Sequence, residues 1–431
     1  MLHQTSFDAL LCKGIAEGFV PSDGQIRRKV LRESKPLSER TIAFPDQKFF
    51  ADQCLRPQDL FYQAWLRKDA QSLSHSNGLT INIADLFSGC GGMSLGIAEA
   101  ALASGCDVRH VFAAEHDQKI AEVYGHNLRP ENLHIGDIAK AFNGAFGQPP
   151  TANEKELIDK VGHLDLLCGG PPCQGHSDLN NYTRRNDPRN SLYFLMARAA
   201  ELLRPNAVII ENVPGVRRDR TGNFGATIRS LEELGYSVAI RTVNAKDYGV
   251  PQSRKRTFVF AANGADRVRR WEANLDGLVD QRARTPLWAI EDLVDLEPQR
   301  SFDEASTLSE ESQARVDWLF ENSKYELDNS MRPDCHKLKS HSYNSVYGRM
   351  RPDTPAPTMT TGFLVMGQGR FIHPTCRRTI TPHEGARIQT FPDFFDFGVQ
   401  KRGMFARMIG NAVPPLLAYY VGLASLDAIL H

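Results

Sequence analysis

A cysteine on a loop is the residue of this sequence best placed to do chemistry. Residues 169–177 read GGPPCQGHS and directly follow the apolar run 164–168. The two prolines fix the backbone φ angle and remove two N–H donors, so Cys173 is held in a defined orientation. Free cysteine is otherwise among the most buried residue types, and Cys168 inside the apolar run fits that ordinary packing role. The neighbours of Cys173 are polar or turn-forming, which favours a nucleophile at the end of a strand.

An acidic residue and two arginines form a second candidate group. Residues 209–215 read IIENVPG and place Glu211 at the end of an apolar strand. Partial burial there raises the pKa of a carboxyl group, and a neutral Glu211 can donate a proton. Residues 248–256 read YGVPQSRKR, in which Arg254 and Arg256 stand at alternate positions. On an extended segment both guanidiniums would point to one side, which suits a phosphate or a polarised carbonyl group.

The segment that must hold a ligand begins with a strand and a glycine-rich turn. The pattern predicts strand 81–87, turn 89–92, helix 93–103 and a second strand 108–114. Glu115 follows the second strand, where such folds bind ribose hydroxyls. The dinucleotide fingerprint G-x-G-x-x-G fails because Ser94 occupies its last position, which disfavours NAD. Phe87, Glu115 and Asp137 instead suit a smaller adenosine ligand, although Phe87 is equally compatible with a core aromatic residue.

The remaining periodic segments predict a doubly wound α/β fold. Further strands are predicted at 164–167, 207–210, 237–243 and 257–261, and helices at 191–203, 225–234 and 414–430. Strands that alternate with helices form a largely parallel sheet. A chain of 431 residues with 41% hydrophobic residues suggests two or three domains.

Composition excludes several classes of protein. No stretch approaches the roughly 18 consecutive apolar residues of a membrane span, and the N-terminus lacks a secretory signal pattern. We therefore expect no membrane association and an intracellular location. The eight cysteines form no CxxC pairs, which predicts free thiols. No zinc-binding spacing occurs, even around Cys335, His336, His341 and Cys376, so no metal site is predicted.

The net charge is zero, yet nucleic-acid binding depends on local basic surfaces. Arginines cluster at 184–189, 217–220 and 267–284, and these clusters are a candidate phosphate track. A basic run also occurs at 27–32 within the first 78 residues. Contact with DNA is one interpretation of that run, but a structural cap with a solvated basic turn is favoured.

Six sequence blocks resemble the DNA (cytosine-5-)-methyltransferase family, or C5-methyltransferases, and stand in the family's order. They are DLFSGCGG at 85–92, GGPPCQG at 169–175, ENV at 211–213, QSRKR at 252–256, the RxxTxxExxRxQxFP spacing from Arg378 to Pro392, and GNAVPP at 410–415. The resemblance implies a doubly wound, Rossmann-like S-adenosylmethionine-dependent methyltransferase fold with a smaller target-recognition domain. The implied domains are a catalytic domain (79–262 plus 408–431), a target-recognition domain with the following motif block (263–407), and an N-terminal extension of unknown role (1–78).

The reaction implied by the resemblance is methyl transfer from S-adenosyl-L-methionine to C5 of a cytosine within a specific sequence of double-stranded DNA. Cys173 would add to C6 of a flipped-out base while Glu211 donates a proton to N3. Arg254 and Arg256 would hold the base or its flanking phosphate. The group that removes the C5 proton is not indicated by any block.

The resemblance also assigns binding residues. The implied cofactor-binding residues are Phe87 (adenine), Gly89 and Gly91 (backbone approach), Glu115 (ribose), Asp137 (adenine amino group), and Pro172 and Asn411 (methionine end). The implied DNA-binding residues are Gln174, Ser177, Arg189 and Gln252. Because the target carbon is inaccessible inside a duplex, loop 174–190 is expected to close over an extruded cytosine.

The resemblance further implies a monomeric, cytoplasmic and nucleoid-associated bacterial enzyme, either an orphan methylase or the partner of a cognate restriction endonuclease. Two other functions stay open, a tRNA cytosine-5 methyltransferase and a catalytically silent DNA-binding regulator. The long segment before Arg378 and the GGPPCQG context favour DNA over tRNA. Intact Cys173, Glu211, Arg254 and Arg256 favour an enzyme over a silent regulator.

Overall fold

A computed structural model describes residues 14–22, 24–43, 56–68, 78–172, 192–219, 222–337 and 345–431. The strands are β1 (Ile15–Ser22), β2 (Gln25–Arg32), β3 (Lys35–Ala43), β4 (Thr80–Leu86), β5 (Asp107–Glu115), β6 (Leu133–Ile135), β7 (Leu166–Gly169), β8 (Ala207–Asn212), β9 (Tyr236–Asn244) and β10 (Lys255–Asn263). The α-helices are α1 (Pro57–Leu66), α2 (Gly92–Ala103), α3 (Gln118–Leu128), α4 (Ala152–Val161), α5 (Leu195–Leu203), α6 (Asn223–Glu233), α7 (Ala265–Gly277), α8 (Pro286–Ile290), α9 (Glu310–Glu321), α10 (Asp334–Lys337), α11 (Pro382–Ile388), α12 (Arg402–Asn411) and α13 (Pro415–Leu430).

The central element is a seven-stranded sheet in the order β6-β5-β4-β7-β8-β10-β9. The five strands β4 to β8 pair with one another in parallel. Strand β10 runs antiparallel to both of its neighbours, β8 and β9. Alternate residues of each strand face opposite sides, because the side-chain period of a strand is two. In β10, Phe258 and Phe260 pack into one hydrophobic cluster, and Val259 and Ala261 pack into the other. The predicted doubly wound α/β fold is confirmed.

Helix α13 forms the centre of the larger cluster and packs against α2 and α7. A Cβ atom placed on Gly96 of α2 would lie 2.5 Å from Cβ of Ala418, so glycine permits the close approach of α2 and α13. Helices α12 and α13 together make one stretch, Arg402–Leu430, that is long and apolar enough to cross a membrane. However, 94% of its apolar window is buried inside the protein, as in the core helix of a soluble fold.

The N-terminal sheet, β1 to β3, packs with α1 against α2 and α13. Its basic residues serve this packing. Arg28 is 3% exposed and donates a hydrogen bond to the Tyr419 hydroxyl at 2.9 Å, and Arg32 pairs with Asp427 on α13. Arg27 and Lys29 on the outer face both pair with Glu39. The basic run 27–32 therefore has the structural role favoured from the sequence, but it lies in strand β2 rather than in a solvated turn.

A smaller domain has a hydrophobic cluster of its own, formed by Val316, Leu319, Leu327, Met366 and Ile372. The preceding helix α7 does not belong to it. Trp271 of α7 stacks on Phe260 of the central sheet at 5.0 Å and donates a hydrogen bond to Ser425 of α13. The sequence-based domain boundary at residue 263 therefore falls before a helix that packs on the catalytic sheet.

Helix α7 and the following loop contain one of the arginine clusters found in the sequence. Arg284 is 4% exposed and donates to Asp59 at 2.8 Å and to the Gly249 carbonyl at 2.7 Å. Arg269 pairs with Asp266, and Arg270 lies 3.7 Å from Asp427. Arg284 is therefore used inside the protein, and the predicted phosphate contact is wrong for this residue. Arg269 and its partner Asp266 lie on the surface, so for the rest of the cluster at 267–284 the phosphate track stays a prediction.

Candidate active site

One edge of the sheet is built by the carboxyl ends of β4, β5 and β6. The backbone leaves β4 through Phe87 (φ +58°) and Gly89 (φ +56°), both in the left-handed region. The Glu115 carboxylate, at the end of β5, accepts hydrogen bonds from the backbone N–H of Gly89 at 3.0 Å and of Asp117 at 2.9 Å. Each carboxylate oxygen can still accept a further hydrogen bond. Glu115 therefore both fixes the glycine turn and offers acceptors beside it.

Open space adjoins this edge. A Cβ atom added at Gly89 or at Gly136 would meet no atom within 4 Å. Asp137 is exposed, and Ile135 at the end of β6 leaves 46% of its surface exposed. Ile135 was not predicted, because an apolar residue at a strand end looks like any other core position. A Cβ at Gly91, by contrast, would lie 2.5 Å from Leu128, so Gly91 is required by packing rather than by an open approach.

Helix α12 brings the C-terminal block to the same edge. Arg407 of α12 forms an ion pair with Asp117 at 2.6 Å, two residues after Glu115. Asn411, at the end of α12, is exposed. This ion pair fixes helix α12, which ends at Asn411, beside the carboxyl end of β5, where Glu115 lies.

A buried polar cluster lies beneath the glycine turn. Asp85 is 1% exposed, and its carboxylate accepts a hydrogen bond from the Ser94 hydroxyl at 2.5 Å. Ser94 in turn lies 2.9 Å from the Tyr124 hydroxyl, and the Cys168 thiol also faces the carboxyl group. Burial raises the pKa of Asp85 to about 7, against the hydrogen bond from Ser94. Sequence reasoning missed this cluster because its members come from four different elements.

The second half of the site lies where β7 and β8 end side by side. The Glu211 carboxyl, with 12% of its side chain exposed, pairs with Arg256 at 2.8 Å. A Cβ atom at Gly170 would lie 3.3 Å from Oε2 of Glu211, so this carboxyl faces the loop after β7. Asn212 ties the two loops together by donating to the Pro171 carbonyl at 3.3 Å.

Burial raises the pKa of Glu211, as expected from its place at the end of an apolar strand, while the charges of Arg256 and Arg254 act in the opposite direction. A carboxyl group in this setting can be protonated more readily than one in water, and the paired guanidinium orients it. The arrangement therefore suits proton donation to a group held between the β7 and β8 loops.

The predicted nucleophile and three of the predicted DNA contacts fall where the structure gives no description. Cys173, Gln174, Ser177 and Arg189 lie outside the described residues. The described chain reaches Pro172, which is partly exposed and follows Gly170, the residue that faces the Glu211 carboxyl, by two positions. Within the described parts of the chain, no group of three or more His, Cys, Asp or Glu side chains is arranged to hold a metal ion.

Comparison with known proteins identifies the family. The family model for C-5 cytosine-specific DNA methylases matches residues 81–425. The Type II methyltransferase M1.BsuMI of Bacillus subtilis is 46% identical over 368 residues, which cover 85% of this chain and 86% of that protein. The chain belongs to the C-5 cytosine-specific DNA methylase family. It is a DNA (cytosine-5-)-methyltransferase, and members of this family use S-adenosyl-L-methionine as methyl donor.

Other relatives of this methylase agree. The Type II methyltransferase M.DdeI of Desulfomicrobium norvegicum is 30% identical over 382 residues, covering 78% of this chain and 86% of that protein. Among solved structures, a protein named as a DNA modification methyltransferase of a prophage (E. coli) has a TM-score of 0.56 at 26% identity, with 81% of this chain and 100% of that chain covered. A Spodoptera frugiperda DNMT2 structure has a TM-score of 0.51 at 19% identity, over 81% of this chain and 100% of that chain, and shows the shared fold.

The residues at the β4–β6 edge of this methylase fit the family's cofactor. Phe87 and Ile135 present apolar surface for an adenine ring, and Glu115 presents carboxylate oxygens for ribose hydroxyls. Gly89 and Gly136, which follow Phe87 and Ile135 in the chain, leave open space where a side chain would stand. This is the set of groups that an adenosine moiety requires.

Two predicted residues of the methylase have a different place from the one expected. Arg254 is 1% exposed, and its guanidinium donates to the carbonyls of Met359 (2.8 Å), Gly410 (2.9 Å) and Ala412 (3.0 Å). Gln252 is fully buried, donates to Gln389 at 2.8 Å and accepts from the Met359 N–H at 2.9 Å. The predicted DNA contact of Gln252 and the direct substrate contact of Arg254 do not fit this geometry, because both polar groups are used inside the protein.

The block from Arg378 to Pro392 is also structural. Thr381 and Glu384 form a reciprocal capping box at the start of α11, and Arg378 pairs with the same glutamate at 2.7 Å. Gln389 donates to the Ile409 carbonyl next to the GNAVPP segment at 2.5 Å. Since Gln389 also accepts a hydrogen bond from Gln252, it connects the C-terminal block of the methylase to the segment that precedes β10.

Proposed function

We propose that the enzyme methylates C5 of a cytosine within a specific double-stranded DNA sequence through a covalent bond between the Cys173 sulfur and C6 of the base. The observation that carries the proposal is the position of Glu211. Its carboxyl group faces the loop that leads through Pro172 directly to Cys173 in the sequence. The proposal therefore pairs Glu211 with a cysteine that directly follows Pro172 in the sequence.

The chemistry explains the need for both groups. C5 of cytosine is a poor nucleophile, and addition of the Cys173 thiolate to C6, with transfer of the Glu211 proton to N3, converts the ring into an enamine. C5 then takes the methyl group. Loss of the C5 proton to a base and cleavage of the sulfur–C6 bond restore the aromatic ring, and the N3 proton returns to Glu211. The raised pKa of Glu211 supports its role as the acid.

One shared role, holding the base or its flanking phosphate, was predicted for Arg254 and Arg256, but we assign them different roles. Arg256, in contact with Glu211, is proposed to orient that carboxyl group and to contact the base. Arg254 is proposed to act as a positioning residue, because its three carbonyl contacts fix the start of β10 to the C-terminal block. This arrangement holds Arg256 in register with Glu211.

The cofactor is proposed to bind at the β4–β6 edge. S-adenosyl-L-methionine supplies a methyl group on a sulfonium, which carries its own leaving group. Phe87 and Ile135 contact the adenine, Glu115 the ribose, and Asp137 the adenine amino group. Gly89 allows close approach of the backbone, and Pro172 and Asn411 line the methionine end.

The DNA side of the proposal keeps the sequence-based residues that fall outside the described parts of the chain. Gln174, Ser177 and Arg189 are proposed to contact DNA around a cytosine turned out of the helix. The smaller domain, whose core lies between Val316 and Ile372, is proposed to read the target sequence. We further propose that the protein acts as a monomer in the bacterial cytoplasm, on nucleoid DNA, with a cognate restriction endonuclease, since the relatives named above are type II methyltransferases.

The test combines a map of methylation with a trap for the covalent bond. Expression in a methylation-deficient host, followed by base-resolution mapping, should show 5-methylcytosine in one enriched motif. In the presence of S-adenosylmethionine, a duplex carrying 5-fluorocytosine at that position should form a stable adduct with wild-type protein, because after methyl transfer the fluorine on C5 cannot leave as a proton does.

The variant Cys173→Ser should lose both methylation and the adduct while it keeps S-adenosylmethionine binding. The variant Cys376→Ser is the matched control, since this thiol is partly exposed and stands two residues before the block that begins at Arg378, outside the GGPPCQG motif. Methyl transfer by the Cys173→Ser variant would contradict the covalent mechanism. A host genome without 5-methylcytosine would contradict the proposal that DNA is the substrate.

A further inference from the structure

One arginine of the smaller domain is held against an aromatic ring, and within the described parts of the chain its charge has no carboxylate partner. Arg351 is exposed, and its guanidinium carbon lies 4.7 Å from the ring centroid of Tyr325. No hydrogen bond or carboxylate partner of Arg351 occurs among the described residues. A cation over an aromatic face keeps its full charge while losing part of its side-chain freedom.

The other described arginines between residues 310 and 380 are engaged within the protein. Arg315, Arg370, Arg377 and Arg378 pair with carboxylates, Arg349 donates to the Pro374 carbonyl, and Arg332 also has a partner. Arg351 therefore differs from these arginines, because among the described residues its guanidinium is found only over an aromatic ring. Its guanidinium offers five N–H donors to a ligand from outside the protein.

The backbone around Arg351 is anchored on both sides. Two residues earlier, Arg349 donates to the Pro374 carbonyl at 2.8 Å and lies over the Phe320 ring at 3.8 Å. Five residues later, Ala356 accepts from the Ser253 N–H at 2.8 Å and donates to the Pro251 carbonyl at 2.9 Å. Ser253 directly precedes the Arg254–Arg256 segment, so Arg351 stands where the smaller domain joins the strand that carries Arg256.

We propose that Arg351 binds a backbone phosphate of the DNA substrate and that Tyr325 holds its guanidinium ready for this contact. Phosphate is the ligand that matches a planar, exposed guanidinium with free donors. Because the backbone is anchored on both sides of Arg351, the contact would hold the DNA at a fixed position relative to the smaller domain and to the strand that carries Arg256. This inference rests on the proposed function, because it takes DNA as the substrate.

Phosphate contacts have a measurable signature. Each phosphate neutralised by a cation releases counterions, so the slope of log Kobs against log salt concentration changes by about 0.9 per contact on duplex DNA. Arg351→Ala should therefore make that slope shallower by about 0.9. It should weaken binding to specific and to random duplexes by a similar factor, since a phosphate contact carries no sequence information.

The experiment measures binding of a fluorescent duplex by anisotropy between about 50 and 200 mM salt, with full-length protein. Arg377→Ala is the matched control, because Arg377 is exposed on the same domain but already pairs with Asp317 and Glu321. Its salt slope should equal that of the wild type. Tyr325→Leu should weaken binding severalfold with an unchanged slope, since it removes the ring but keeps the charge of Arg351.

Steady-state kinetics give a second readout. Arg351→Ala should raise KM for DNA with kcat and KM for S-adenosylmethionine unchanged, and Arg351→Lys should restore the salt slope. A salt slope for Arg351→Ala equal to that of the wild type overturns the inference, even where KM changes. A wild-type protein that does not bind DNA in this assay overturns the proposed function itself, so the two failures are distinguishable.

Discussion

Replacing Asp85 by asparagine should remove a pH dependence from the free energy of unfolding. Burial beneath the glycine turn raises the pKa of Asp85 to about 7, whereas the ordinary value is 3.8. Between these two values the folded protein keeps a proton that the unfolded chain has lost. The free energy of unfolding therefore falls as the pH rises from about 4 to about 7, and this contribution stays constant above the folded pKa.

The size of the effect follows from the same two values. One pKa unit corresponds to about 1.4 kcal/mol. Ionisation of Asp85 thus lowers the free energy of unfolding by at most about 4 kcal/mol over the full range, and by about 3 kcal/mol between pH 5 and pH 8. Asparagine keeps an oxygen that accepts the hydrogen bond from Ser94 but cannot ionise. The variant should therefore gain stability relative to the wild type as the pH rises.

Urea unfolding of both proteins at pH 5, 6, 7 and 8 measures this difference, since titration of all other groups cancels between them. Ser94→Ala provides a control with the opposite sign. It removes the hydrogen bond that lowers the pKa of Asp85, so the loss of stability should continue above pH 7. Parallel curves for Asp85→Asn and wild type across this range would refute the reasoning, because they would mean that Asp85 is already ionised at pH 5.

Three further variants, one of them with a matched control, test other parts of the structure. Glu211→Gln should lower kcat by a factor on the order of a hundred, as expected for loss of a general acid, with S-adenosylmethionine affinity unchanged by calorimetry. Gly96→Ala should lower the free energy of unfolding by about 1–3 kcal/mol, because its Cβ would lie 2.5 Å from that of Ala418. Gly403→Ala on α12 meets no atom within 4 Å and should be neutral or slightly stabilising in the same urea assay. Arg28→Met should destabilise the protein by about 3–5 kcal/mol in thermal or urea unfolding, because it leaves Glu17 buried without its cation.

The sequence predicted those features that depend on local pattern. The strand before Glu211 and the glycine turn after Phe87 occur where the apolar periodicity places them. The raised pKa of Glu211 also follows from one local fact, a carboxyl group at the end of a buried strand. Such features depend on neighbours in the chain, and a single sequence contains that information.

The hydrogen-bond partners of long polar side chains were less predictable from the sequence. Arg254 and Arg256 alternate as expected, yet the first donates to carbonyls more than 100 residues further along the chain. Gln252 likewise finds its amide partner in Gln389, 137 residues away. Spacing fixes the face from which a side chain leaves a strand, but only the packed tertiary structure decides whether that face meets water or protein. The small core around Val316 escaped prediction for the same reason.

The contact of the N-terminal sheet with α13 has a consequence for synthesis of the protein. Arg28 and its hydrogen-bond partner Tyr419 are separated by 391 residues. At about 5–20 residues per second, the sheet leaves the ribosome roughly 20 to 80 seconds before its docking helix is made. During that interval the sheet can already pack on α1, which follows it closely in the chain, but its contacts with Tyr419 and Asp427 of α13 are missing. A chain that stops before α13 therefore cannot form the contacts that hold the sheet in the finished enzyme.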